Sequence, residues 1–205
     1  MSHESRLGEE WFASLVEFDR QIAEAVAAVG CRHCGGRLYQ GNYKRKPRGG
    51  NIAEVGEAFR LRHSLCCGRE GCRKRSLPPS LRFLGRRVYL EAVVLLASAL
   101  ARAIETLRLA SEVTGVPART LRRWHSWWTG AFPCSTVWTQ LRALFVPPPP
   151  SESELPQSLL KRAQAALDAG AAVSDVLLLA ARWLSPVTTQ SVPDGSRFVF
   201  AALRS

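Results

Sequence analysis

The stretch Cys31-Arg32-His33-Cys34-Gly35-Gly36, answered by Cys67-Gly68-Arg69-Glu70-Gly71-Cys72 with 32 residues between Cys34 and Cys67, sets out two thiol pairs with two and four residues between their members. Two thiolates in a tight, glycine-assisted turn reach one ion at about 2.3 Å, and a second such pair completes a tetrahedron. The glycines relieve the steric demand of each turn and let backbone N–H groups point at sulfur. Between the pairs lie two candidate strands, Arg37 to Tyr43 and Glu57 to Leu65, with Gly49-Gly50 as the turn signal, and Arg73 to Leu81 offers a third short strand. This is the layout of a zinc ribbon with Cys31, Cys34, Cys67 and Cys72 as the zinc ligands.

Cys66 competes with Cys67 for the fourth place. Strand alternation puts Phe59, Leu61, His63, Leu65 and Cys67 on one face and Arg60, Arg62, Ser64 and Cys66 on the other, which favours Cys67. His33 and His63 are lesser alternatives, and Cys134, just after Pro133, has no partner spacing and reads as structural. A catalytic zinc needs an open coordination position and a nearby acid or base. Glu70 is the only carboxylate next to the knuckles in sequence and no H-x-E or H-E-x-x-H pattern occurs, so the expected site is structural. The N-terminal stretch Met1 to Arg20 is acidic and has no export-type apolar segment, and the longest apolar run, Ala92 to Ala101, is about half of a membrane span. A cytoplasmic, reduced protein with no membrane partner is expected, and in such a protein clustered cysteines point to metal rather than disulfides.

Around this core the charge is uneven. The 205-residue chain carries 28 Lys+Arg against 17 Asp+Glu, a net +11, with 46% hydrophobic and 22% charged residues, as in a globular protein rather than a disordered one. Residues 1 to 30 hold 2 basic and 6 acidic groups, whereas residues 31 to 90 hold 15 and 3. A field concentrated on one module implies a polyanionic partner, nucleic acid first. Lys44-Arg45-Lys46-Pro47-Arg48 at the hairpin loop and Arg73-Lys74-Arg75, with Arg82, Arg86 and Arg87, form the expected phosphate-contacting surface.

Downstream, Leu107-Arg-Leu-Ala-Ser-Glu-Val-Thr-Gly115-Val-Pro-Ala-Arg-Thr-Leu-Arg-Arg-Trp124 has helix-turn-helix grammar. The first helix carries Leu107, Ala110, the small Ser111 and Val113 and ends at Gly115, Val116 plugs the core, and Pro117 opens the second helix. There Leu121, Trp124 and Trp128 share one face, to pack against a preceding helix from Val88 to Ile104. Arg119, Thr120, Arg122, Arg123 and Ser126 are left outward, where arginine can reach guanine edges or phosphates in a major groove. No acid occurs between Thr114 and Ser151. Tryptophans 124, 127, 128 and 138 read as core rather than as base-stacking groups.

The expected fold class is mainly α with a small β zinc ribbon (α+β). Its parts are an N-terminal amphipathic helix in 1–30, the basic ribbon in 31–85, a helix-turn-helix domain in 86–146, a proline-rich linker in 147–156 and a helical segment in 157–205. Gly170 divides the last segment into one or two helices, and residues from Ser185 look loosely held. The apolar faces of the first and last segments suit packing onto the core, with a homodimer or a docked partner as the alternative.

The cysteine pairs in a basic ribbon, followed by Thr-Gly-Val-Pro-Ala-Arg-Thr-Leu-Arg-Arg-Trp, resemble the N-terminal DNA-recognition part of bacterial insertion-sequence transposases and their accessory proteins, over residues 31 to 146. The resemblance implies zinc on the four cysteines and DNA on Arg119, Thr120, Arg122 and Arg123. Such transposases continue into a nuclease domain with three carboxylates on an RNase H-like sheet. Here only Glu152, Glu154, Asp168, Asp175 and Asp194 follow, without a strand pattern, so catalysis by this chain is not expected. The function anticipated is non-enzymatic binding of double-stranded DNA at the nucleoid, as a mobile-element accessory protein or a transcriptional regulator, alone, as a homodimer or beside a separate transposase or recombinase. RNA and protein are the alternative partners of the ribbon.

Overall fold

Helix α1 (Glu9–Val29) shows how the sequence builds the first element. Its buried positions Phe12, Leu15, Asp19 and Ala23 recur at spacings of three and four, the stripe of an amphipathic helix, and Gly30 ends it at φ +86°, where glycine alone is unstrained. The structure, a computed structural model, describes residues 9–46, 48, 56–84, 89, 91–101, 106–143, 145, 154–168 and 170–188. Arg86, Arg87, the Gly49-Gly50 turn, residues 147–153 and everything from residue 189 onward lie outside them.

After α1 the chain forms the cysteine unit. Strands β1 (Leu38–Gln40), β2 (Tyr43–Lys44), β3 (Leu61–Arg62), β4 (Leu65–Cys67) and β5 (Arg75–Ser76) make a three-stranded sheet in the order β1-β4-β5 and a two-stranded sheet β2-β3, all antiparallel. The registers Leu38↔Cys67, Gln40↔Leu65, Tyr43↔Arg62 and Lys44↔Leu61 continue one another, so the two sheets are one hairpin broken at Gly41-Asn42. At the break Asn42 Oδ1 accepts the Ser64 N–H at 3.1 Å, substituting a side chain for a ladder carbonyl.

Three expectations for this region need correction. Glu57–Arg60 is a helical turn, α2, rather than strand. The reason is Arg82: its guanidinium gathers the carbonyls of Ala58, Phe59 and Leu61 at 3.1, 2.7 and 2.8 Å, and a turned backbone converges those oxygens as a ladder cannot. Strand alternation holds from Leu65 to Cys67 but fails at Arg62 and Ser64, both buried, with Arg62 Nη2 donating to the Pro78 carbonyl at 2.5 Å. The third strand stops at Ser76, short of the Pro78-Pro79 pair, which has no N–H to offer a ladder.

The rest is helical: α3 (Glu91–Leu100), α4 (Thr106–Thr114), α5 (Ala118–Ser126), a π-helical turn (Trp127–Ala131), α6 (Thr136–Arg142), α7 (Gln157–Ala165), α8 (Val173–Leu184) and a 3-10 turn (Ser185–Thr188). One continuous core runs through them, from Val94, Leu95 and Leu107 through Leu121, Trp128 and Trp138 to Leu159 and Leu177. Trp128, Phe132 and Trp138 meet ring to ring at 5.0 and 5.3 Å, so the tryptophans are packing groups. Leu155 and Pro156, the described end of the stretch read as a linker, are buried, and Leu155 belongs to this core. α4 buries Leu107 and Ala110 alone, and Val113 and Leu109 are 68% and 61% exposed.

α1 closes over both parts. Phe12 and Leu15 pack with Phe59, Leu81, Phe83 and Ala181, Trp11 Nε1 donates to the Ser174 carbonyl at 3.0 Å, and the Arg182 guanidinium lies 4.2 Å from the Phe18 ring centroid. Phe12 and Leu15 of α1, Leu159 of α7 and Val176 and Leu177 of α8 are thus buried inside the chain. Among the described residues no helix is long and apolar enough to cross a membrane.

Candidate metal centre and basic surfaces

Two short turns carry the cysteines together. In the first, the Cys34 and Gly35 N–H groups donate to the Cys31 carbonyl at 3.2 and 2.7 Å, and the Cys31 N–H returns to the Gly36 carbonyl at 2.8 Å. In the second, the Cys72 and Arg73 N–H groups donate to the Arg69 carbonyl at 3.1 and 3.3 Å, with Gly71 at φ +82° and Arg73 at φ +44°. The β1-β4 ladder joins the turns, and Arg69 Nη1 donates to the Cys34 carbonyl at 3.0 Å across the gap.

The result is one cluster. The sulfurs of Cys31, Cys34, Cys67 and Cys72 all lie within 4.8 Å of one another, with Cys34···Cys67 at 3.5 Å and Cys31···Cys72 at 3.8 Å. A tetrahedron of sulfurs about 2.3 Å from a central ion has edges of ~3.8 Å, so the four thiols fit a tetrahedral metal, while a disulfide would need ~2.05 Å. All six cysteines are free thiols. Cys66 faces away from the cluster, against Gly41, so the fourth sulfur is that of Cys67. His33 and His63 are outside the cluster, and His33 is exposed.

Gly36 shows how closely the site is built. A β-carbon there would stand 3.2 Å from Cys67 Sγ, 3.3 Å from Cys34 Sγ and 3.1 Å from Arg69 Cβ, so only glycine lets the backbone come against both sulfurs. The Gly36 N–H beside Cys34 brings that thiol down to about 7, helped by the other three thiols. The Arg69 N–H donates to Cys67 Sγ at 3.4 Å and favours its thiolate, yet burial and the neighbouring thiols prevail and push Cys67 up to about 12. Without a cation the cluster therefore holds a first negative charge readily and resists the next. A bound cation would remove that conflict, and the four sulfurs would fill a tetrahedral coordination.

The basic residues fall into two classes. On α5, Arg119, Arg122, Arg123 and Ser126 are exposed and Thr120 is half-buried, while Leu121, Trp124 and the following Trp128 are buried. The turn before α5 has Gly115 at φ +66° and Val116 fully buried. Lys46, Arg48, Arg73, Lys74 and Arg75 are exposed as well. Lys44 is exposed but paired with Glu57 at 2.7 Å, and the half-buried Arg45 lies 5.2 Å from the Phe83 ring centroid. Arg48 forms a backbone bridge with Tyr89, whose ring meets Trp124 edge-on at 5.1 Å, so the end of the basic hairpin lies close to the residue that anchors α5.

Arg82 is the correction. The basic context of the ribbon predicts a phosphate-contacting arginine, yet its side chain is wholly buried, with Nε 2.8 Å from Asp19 Oδ2. Asp19 also accepts from Ser80 Oγ and from the Leu81 N–H, each at 2.6 Å. The signal available in sequence was the context of each residue: an acid at the centre of the apolar stripe of α1, and an arginine between Leu81 and Phe83. Of the late carboxylates, Glu154, Asp168 and Asp175 are exposed, Asp175 accepting the Ala172 N–H at 3.3 Å at the start of α8; Glu152 and Asp194 lie outside the described residues. No protein-family model, curated protein or solved structure matches this chain.

Proposed function

We propose that this is a non-enzymatic, zinc-containing protein that binds double-stranded DNA. In this reading the cysteine unit is a zinc ribbon, closed by Cys31, Cys34, Cys67 and Cys72 around a structural ion, and α4-turn-α5 is a helix-turn-helix whose second helix lies in the major groove. Zinc is the metal of choice because four thiolates in a tetrahedron, with nearby backbone N–H groups and no carboxylate ligand, match its preference.

The observation that carries the DNA reading is the division of α5. Leu121 and Trp124 anchor it, and every arginine on it, Arg119, Arg122 and Arg123, faces solvent. With no acid between Thr114 and Ser151, a polyanion meets no repulsion along that stretch. Arg119, Thr120, Arg122, Arg123 and Ser126 would contact bases and flanking phosphates. Lys44, Arg45, Lys46, Arg48, Arg73, Lys74 and Arg75, together with Arg86 and Arg87 outside the described residues, would supply salt-sensitive affinity. The likeness to transposase recognition regions makes a mobile element the natural setting, with strand transfer left to a separate enzyme.

Selection from a random duplex pool by the zinc-loaded protein tests this. A motif should be enriched by the wild type and lost in an Arg122→Ala, Arg123→Ala variant that keeps its metal, at about 1–3 kcal/mol for each base-contacting arginine. Binding that yields no motif and is indifferent to the two arginines would defeat the reading; tighter binding to structured RNA would replace it.

A further inference from the structure

We propose that the outer face of the β1-β4-β5 sheet stacks an unpaired base of single-stranded DNA, with Tyr39 as the platform. The choice of DNA over RNA rests on the duplex-binding reading of α5; the site itself does not.

The registers Tyr39↔Cys66 and Cys66↔Arg75 put these three residues in one cross-strand row, on the face opposite the buried Leu38, Leu65 and Cys67. Two residues along, Arg37 and Gly68 lie on the same face, joined by the Gly68 N–H and the Arg37 carbonyl at 3.0 Å. Tyr39 is 54% exposed, yet its ring is held in place against Gly68: a β-carbon there would overlap Cε2 and stand 2.8 Å from Cδ2. The Arg37 guanidinium lies 5.4 Å from the ring centroid. Arg73, Lys74 and Arg75, all exposed, continue the positive charge, with Glu70 the one acid in the neighbouring turn.

An aromatic ring set against a glycine and left half in water, with the Arg37 guanidinium over it at 5.4 Å and exposed basic side chains further along the row, has what an unpaired nucleotide needs: a π-face for the base and cations for its phosphates. A duplex cannot use it, because a stacked, paired base presents no free face. The site is therefore chemically distinct from α5, and a protein holding both would suit DNA whose duplex ends in, or opens into, a single strand.

The test is fluorescence anisotropy of a labelled oligothymidine of about a dozen nucleotides with the metal-loaded full chain. Tyr39→Leu keeps a bulky cover over Gly68 but removes the π-face, and should weaken binding by about 5- to 150-fold, while Tyr39→Phe should stay within about twofold of the wild type. Gly68→Ala, which pushes the ring away, should weaken binding as Tyr39→Leu does. The Arg122→Ala, Arg123→Ala variant should still bind oligothymidine, so failure here and failure of the duplex reading are separately visible. Wild-type binding by Tyr39→Leu, loss of metal from that variant, loss of oligothymidine binding with the α5 arginines instead, or a preference for oligouridine would each overturn the proposal.

Discussion

Replacing Asp19 by alanine removes the carboxylate that accepts from Arg82 Nε at 2.8 Å, from Ser80 Oγ at 2.6 Å and from the Leu81 N–H at 2.6 Å. The guanidinium left behind is wholly buried, and a second buried guanidinium, that of Arg62, lies in the same field and is held below its usual range mainly by burial. Taking one partner from a buried ion pair costs about 3–5 kcal/mol, whereas exchanging both for apolar groups of similar volume is near neutral. Arg82 keeps three carbonyl acceptors, which puts the loss near the lower end, ~3 kcal/mol of a total stability of ~5–15 kcal/mol. Urea unfolding followed by far-UV circular dichroism should therefore show the midpoint of Asp19→Ala falling by about 1–3 M. The Asp19→Leu, Arg82→Met double variant should lose less than the sum of the two single effects yet stay below wild type, because the carbonyls of Ala58, Phe59 and Leu61 lose their donor. A single variant within ~1 kcal/mol of wild type, or a double variant that loses the sum of both single effects, would refute this account of the pair.

Atomic absorption on purified protein should find bound metal retained by Cys66→Ser and lost from Cys67→Ser, since only the latter sulfur lies in the cluster. Gly36→Ala, whose methyl would crowd two sulfurs and Arg69, should lower metal affinity by about 10- to 100-fold in competition with a chromophoric chelator. Affinity should rise with pH from 6 to 8, because Cys67, pushed up to about 12, must release its proton to bind; below about 7, where Cys34 regains its own, the dependence should steepen. Trp128→Ala, emptying a fully buried position among Trp127, Phe132 and Trp138, should cost about 3–5 kcal/mol in the same urea experiment.

What could be read from the sequence was what depends on spacing. The 3-and-4 rhythm of Phe12, Leu15 and Ala23, the thiol pairs with their glycines, and the Leu121-Trp124-Trp128 face each follow from local geometry, and the structure has α1, the cysteine cluster and α5 in those places. What escaped depends on partners far away in the chain. Asp19, Arg62 and Arg82 carry charges that default to the surface, and their burial makes sense only once α1, α2 and residues 78–82 are seen to meet. Residues 57–60 turned into a helix for the same reason, three of the hairpin's carbonyls being claimed by a side chain over twenty residues later. Val113 obeyed the apolar rhythm of α4 and still faces water, because α4 meets its neighbours through Leu107 and Ala110.

The contact of α1 with α8 imposes an order on synthesis. Trp11 donates to Ser174, 163 residues later, and Phe12 shares its cluster with Ala181, so the first described helix cannot complete its contacts until the last has left the ribosome. The cysteine unit is under no such wait: every ligand lies between residues 31 and 72, and metal can close it while the helical body is still being made. In that interval α1 can already settle on residues 59–83 through Phe12, Leu15 and Asp19, while Trp11 waits for Ser174. A nascent chain arrested before residue 173 should thus present the cysteine unit with α1 seated on it and the α8-facing edge of that helix, at Trp11 and Phe18, uncovered.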